Sequence, residues 1–205
     1  LLAVGLAGLP LAVLGRGPLA WAAGAETDPR AFVSRLADQA METMVAKGIS
    51  DADRIARFRL LFLDAFDLPT IARRVLARAW NRATPAQQAE FLKLFEDVVV
   101  LTWSTRCKDY GEDLRHTVVG VVDDGERGIS VESRVERARQ QPFSLQWRLK
   151  RDEAGALRVV DLVVEGASMA ITYRDEYAAV IRANNDQFDG LLAALRANLV
   201  KLRGG

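Results

Sequence analysis

The chain has 205 residues, half of them apolar and 27% charged, a balance that suits a folded globular protein with a real core and argues against disorder. Its 28 basic and 27 acidic side chains leave a formal charge of +1 without long charged runs, which removes the electrostatic case for a nucleic-acid partner. One histidine and one cysteine exclude a His-rich metal cluster and any intramolecular disulfide, so no metal or other cofactor is expected.

The first 25 residues differ from the rest. Leu1 to Leu14 carries no charge, and Ala20-Trp21-Ala22 and Ala23-Gly24-Ala25 each present small residues one apart. That pattern reads as a secretory leader without its initiator Met and basic start, cleaved near Ala25. A membrane anchor is the rival reading, but Gly5, Gly8, Pro10 and Gly15 interrupt the run well before the roughly 18 apolar residues a span needs. Residues 26–205 are then expected to form one domain: a helical part over 28–111, a sheet over 115–165 and closing helices over 168–203.

Asp28-Pro29 supplies an N-cap and a proline at the first helical position, and Phe32, Leu36, Ala40 and Met44 recur on one face as far as Lys47-Gly48. Ser50 caps a second helix with the stripe Ile55, Phe58, Phe62 and Phe66. Asp67-Leu68-Pro69 starts a short third helix through Ile71, Val75 and Leu76 to Trp80. Thr84-Pro85-Ala86-Gln87 is a capping box, opening a long helix toward Tyr110-Gly111 in which Phe91, Leu94, Phe95, Val98 and Leu101 keep helical spacing. This helix is expected to lie across the sheet that follows, with Cys107 as a small buried hydrophobe and Trp103 and Tyr110 near its far end.

After Gly111 the period changes from 3.6 to 2. Thr117, Val119 and Val121 alternate up to the turn Asp123-Asp124-Gly125; Ile129, Val131, Ser133 and Val135 follow on one face, then Phe143, Leu145, Trp147 and Leu149. Leu157 to Val164 breaks the alternation with consecutive valines, so both of its faces require cover. Two helices end the chain, one through Tyr173, Tyr177 and Val180, the other from Phe188 through Leu199. The fold class is therefore α+β: a four-stranded antiparallel curved sheet packed against several helices, a shape that can enclose an apolar cavity.

Catalytic chemistry finds little support. His116 reads as a surface position at a strand start, and Asp123-Asp124 and Asp152-Glu153 read as turn residues. Gly166-Ala167-Ser168-Met169-Ala170 lacks the closing glycine of a nucleophile elbow, and the lone histidine precedes the serine. No phosphate-binding glycine motif is present, and no enzymatic activity is expected.

Phe62 to Trp80, Ala83-Thr84-Pro85-x-Gln87, Lys108-Asp109-Tyr110 and Val164-Glu165-Gly166-Ala167-Ser168-Met169 with Tyr173-Arg174 together resemble the MlaC family, also called the toluene-tolerance auxiliary family. The likeness runs from about Asp28 to Leu202. It implies a soluble, monomeric periplasmic phospholipid carrier that moves lipid between an outer-membrane lipoprotein complex and the MCE-domain protein of an inner-membrane ABC transporter, maintaining outer-membrane lipid asymmetry. On that reading Phe66, Val75, Leu76, Trp103, Val131, Val135, Leu145, Trp147, Leu149, Val163, Met169 and Tyr173 are expected to contact the lipid tails, with Tyr110 at the rim near the head group. Each apolar residue among them fits plain core equally well. Rival readings are a carrier of hopanoids or another apolar lipid, a protein-binding adaptor with a filled core, and an enzyme of the NTF2-like shape. The enzyme would require Asp161 as an acid or base inside the cavity, whereas an arginine partner such as Arg148 or Arg158 would make Asp161 structural.

Overall fold

A computed structural model of the protein describes residues 26–46, 48–108, 114–123, 125, 128–138 and 140–204. The leader-like segment 1–25, Lys47, Tyr110 and Asp124 lie outside the described residues, as do the side chains of Met44 and Cys107. The elements run α1 (Pro29–Val45), α2 (Asp51–Ala65), α3 (Leu68–Leu76), α4 (Arg78–Arg82), α5 (Pro85–Lys108), β1 (Arg115–Asp123), β2 (Ile129–Glu136), β3 (Phe143–Arg151), β4 (Leu157–Val164), β5 (Ala167–Ser168), α6 (Met169–Ala183) and α7 (Phe188–Gly204).

The helix starts follow from local hydrogen bonding. The Asp28, Ser50 and Asp67 side chains each accept a backbone N–H of the following turn, at 3.0, 3.1 and 3.0 Å. At α5 the box closes reciprocally: Gln87 N donates to Thr84 Oγ1 at 3.2 Å, and Thr84 N donates to Gln87 Oε1 at 2.9 Å. The expected third helix is broken at Ala77, whose φ of 47° ends α3 and starts α4.

The sheet is antiparallel in the order β1-β2-β3-β4-β5, one strand more than expected. The extra strand arises at Glu165-Gly166, where both residues take left-handed φ (49° and 80°), folding the chain straight back so that Val163 pairs Ser168 and Val164 pairs Ala167. Two bulges reset which side chains face inward. In β1 the register slips between Val118 and Gly120, so His116 and Val118, rather than Thr117 and Val119, stand opposite the inward Val135 and Ser133. In β4 it slips beside Arg148, and the successive residues Val159, Val160 and Asp161 are all buried. The end of α2 is stitched to this strand by Asp67 N donating to Val159 O at 3.0 Å.

Two apolar clusters result. One is helical, with Phe91, Phe95, Val75, Leu191 and Leu192 at its centre. The other lies between α1 and one end of the sheet, joining Phe32, Val33 and Leu36 to Ile129, Val131, Leu149, Leu157 and Val159. Phe66 packs against both. Helix α5 was expected to pack directly on the sheet, but its main partners are α7, α2 and α3, because a cavity separates its Phe95, Val99 and Trp103 from the strands.

Candidate functional site: an apolar cavity between helices and sheet

The helices α1, α2 and α5 and the sheet converge on a cavity of about 350 Å³, near the lower end of the roughly 300–1,000 Å³ typical of ligand pockets. Its position follows from where α1 stops covering the sheet. Toward Ile129 and Leu149 the inner face is plugged by Phe32 and Val33, whereas toward Val135, Phe143, Leu145 and Val164 it borders open space. The opposite wall is aromatic: Phe62 stacks on Phe66 with ring centres 4.5 Å apart, and Tyr173 meets Phe95 edge-on at 5.7 Å.

Of the residues expected to contact a lipid, Phe66, Trp103, Val135, Leu145, Trp147, Met169 and Tyr173 line this cavity. Val75 and Leu76 sit in the helical core, Val131 and Leu149 in the cluster under α1, and Val163 is buried in register with Ser168 and Gln146. Tyr110 lies outside the described residues. The lining also includes Leu36, Ala40 and Met41 of α1, Phe58 and Phe62 of α2, and His116, Phe143, Leu162 and Val164 of the sheet. Leu36, Ala40, Phe58 and Phe62 were visible as helical stripes, whereas Met41 lay outside the expected α1 stripe. His116 was hidden because a one-residue bulge, which leaves no mark in composition, turns it inward.

Besides the Tyr173 phenol, the described wall includes the ionisable side chains of Asp161 and His116. Asp161 is fully engaged: its Oδ2 accepts from Ser168 Oγ at 2.6 Å and from Arg148 Nη1 at 3.2 Å, with Arg74 Nη1 at 3.9 Å, and its Oδ1 accepts from Ala170 N at 3.0 Å. Ser168 in turn caps α6 by accepting from Ile171 N at 3.2 Å. This network makes Asp161 a buried anchor for the start of α6, engaged through both of its oxygens. Ser168 is a cap rather than a nucleophile. His116 meets the Trp147 ring edge-on at 6.1 Å, and Trp147 Nε1 donates to the buried Ser133 Oγ at 3.1 Å. Burial holds the His116 pKa below its usual 6.5, opposed by the charge of Asp38 on α1, so the imidazole is neutral at pH 7. Among the described residues, no group of three His, Cys, Asp or Glu is placed to hold a metal ion, and no helix is long and apolar enough to cross a membrane.

The MlaC family model matches residues 34–197, which span every element except the first turn of α1 and the end of α7. The chain belongs to the MlaC family. Among solved structures, a phospholipid-binding protein from Ralstonia solanacearum, determined in complex with a phospholipid, superposes with a TM-score of 0.74 at 19% identity. The alignment covers 86% of this chain and 99% of that one, which shows a shared MlaC-type fold. Comparison with curated proteins gives no significant match.

Proposed function

We propose that this MlaC-family protein is a soluble periplasmic phospholipid carrier that holds the acyl chains of its cargo in the cavity between α5 and the sheet. The carrying observation is the wall itself: almost wholly apolar, with its one buried carboxylate already bonded to Ser168, Ala170 and Arg148. Such a lining favours hydrocarbon. Each methylene kept out of water is worth about 0.8 kcal/mol, so an apolar lining replaces the hydrocarbon of the bilayer for the tails it encloses and shields them while the lipid crosses the aqueous space. Release then requires a partner that opens the walls.

The Ralstonia relative, solved with phospholipid bound, supports the choice of cargo. The family supports the route: collection and delivery between an outer-membrane lipoprotein complex and the MCE-domain protein of an inner-membrane ABC transporter, with the carrier acting as a monomer. Residues 1–25 direct export, cleavage near Ala25 leaves 26–205 as one lipid-binding domain, and N-terminal sequencing of the exported protein tests that step. The same wall supports a binding role.

Leu145 tests the pocket directly. Leu145→Glu places a carboxylate among hydrocarbon, which no lipid tail can compensate. Incubated with vesicles containing a fluorescent phosphatidylglycerol, the native protein is expected to take up label, and a folded Leu145→Glu variant to take up at least about tenfold less. Equal uptake by the folded variant would overturn the pocket assignment.

A further inference from the structure

His116 has a buried Nε2 with no hydrogen-bond partner among the described residues, and it sits on the wall of the cavity. A buried polar atom left unpaired is costly, and native structures rarely keep one without a purpose. The carboxylate on the wall, Asp161, is already bonded through both oxygens to its neighbours. Among the described residues, His116 therefore presents an open polar valence in an apolar surround, at the end of the sheet where Leu114, Val135 and Phe143 meet rather than at the plugged end.

The chemistry of a matching ligand is narrow. A diacyl phospholipid is hydrocarbon along its tails, and its only polar atoms at the junction of tail and glycerol are ester oxygens, which accept hydrogen bonds and donate none. We propose that His116 is the specificity-determining residue of the cavity: its neutral Nε2–H donates to an ester carbonyl of the bound lipid, fixing how deeply the tails enter. The inference rests on the phospholipid-carrier reading. The edge-on Trp147 ring, itself tied to Ser133, holds the imidazole plane, and Asp38 is the charged group whose field reaches it from α1. An acceptor-only ligand selects the Nε2–H tautomer.

The test compares ester-linked and ether-linked phosphatidylglycerols of identical chain length, offered in competition to the full-length purified protein from mixed vesicles. The native protein is expected to load the ester lipid about five- to tenfold in excess, the difference one hydrogen bond makes. His116→Leu should bring the ratio within about twofold while still loading lipid, and His116→Gln, which keeps a donor, should restore part of the preference. His116 is the only histidine, so ¹⁵N NMR of its ring gives a second readout free of mutation: its Nε2 resonance should shift on loading with ester lipid and stay put with ether lipid. Equal loading of the two lipids by the native protein, or an undiminished ester preference in His116→Leu, would overturn the assignment while leaving the carrier intact. Failure of the native protein to load either lipid would overturn the carrier reading and this inference together.

Discussion

Asp161, Tyr177 and His116 each place a polar side-chain atom in the apolar interior, and each meets that burial differently. Asp161 is satisfied by Ser168, Ala170 and Arg148, so Asp161→Ala strands three donors and loosens the start of α6. A loss of about 2–3 kcal/mol is expected in urea denaturation, and a change under 1 would show that the network is dispensable. Tyr177 lies against Phe91 and Phe95 with its hydroxyl buried and unpaired, and desolvation pushes its pKa far up. Removing that hydroxyl costs no bond: Tyr177→Phe should stabilise the fold by about 1 kcal/mol, read as a raised thermal midpoint. For His116 the folded pKa is depressed below 6.5. As pH falls below about 6.5 the unfolded chain takes up a proton that the folded chain resists, so stability is full above that value and declines toward the lowered folded pKa. His116→Leu should flatten this part of the stability profile, and an unchanged slope would mean that the imidazole is already solvated.

At the scale of elements, the parts legible in the sequence were those set by local rules. The caps at Asp28, Ser50, Asp67 and Thr84 lie where residue chemistry puts them, and β2 and β3 alternate as their side chains do. The misses share a cause: one-residue irregularities that invert a face without altering composition. The bulge at Val119 turned His116 inward and left Val119 57% exposed, and the Glu165-Gly166 hairpin created β5 where a plain strand-to-helix junction was expected. The hairpin carries its own test. Gly166 has φ of 80° and nothing within 4 Å of where a Cβ would stand, so the cost of substitution is conformational alone. Gly166→Ala should destabilise by about 1–2 kcal/mol in chemical denaturation, and Gly166→Asn, which tolerates left-handed backbone, by less. Equal effects of the two would argue that the turn relaxes to another conformation.

At the scale of the molecule, the proposed function rests on the two apolar clusters and the cavity beside them. Core and pocket wall were indistinguishable by residue type, since Val131 and Leu145 are both inward-facing aliphatics of adjacent strands. They differ only in what lies opposite: Phe32 and Val33 of α1 fill the space over Val131, whereas nothing from the helices fills the space beside Leu145. That distinction depends on the angle at which α1 crosses the sheet, a tertiary property with no local signature. The greasy strand β4 was explicable from sequence only as a strand needing cover on both sides, and α2, α3 and α6 all contact it. If the uncovered region holds cargo, the protein should leave its cell compartment already loaded. The most direct measurement is organic extraction and mass spectrometry of the purified exported protein, with total phosphorus quantified against protein. The expected result is diacyl phospholipid close to one molecule per chain, lost in a folded Leu145→Glu variant; a folded native protein that releases no phospholipid would contradict the central claim.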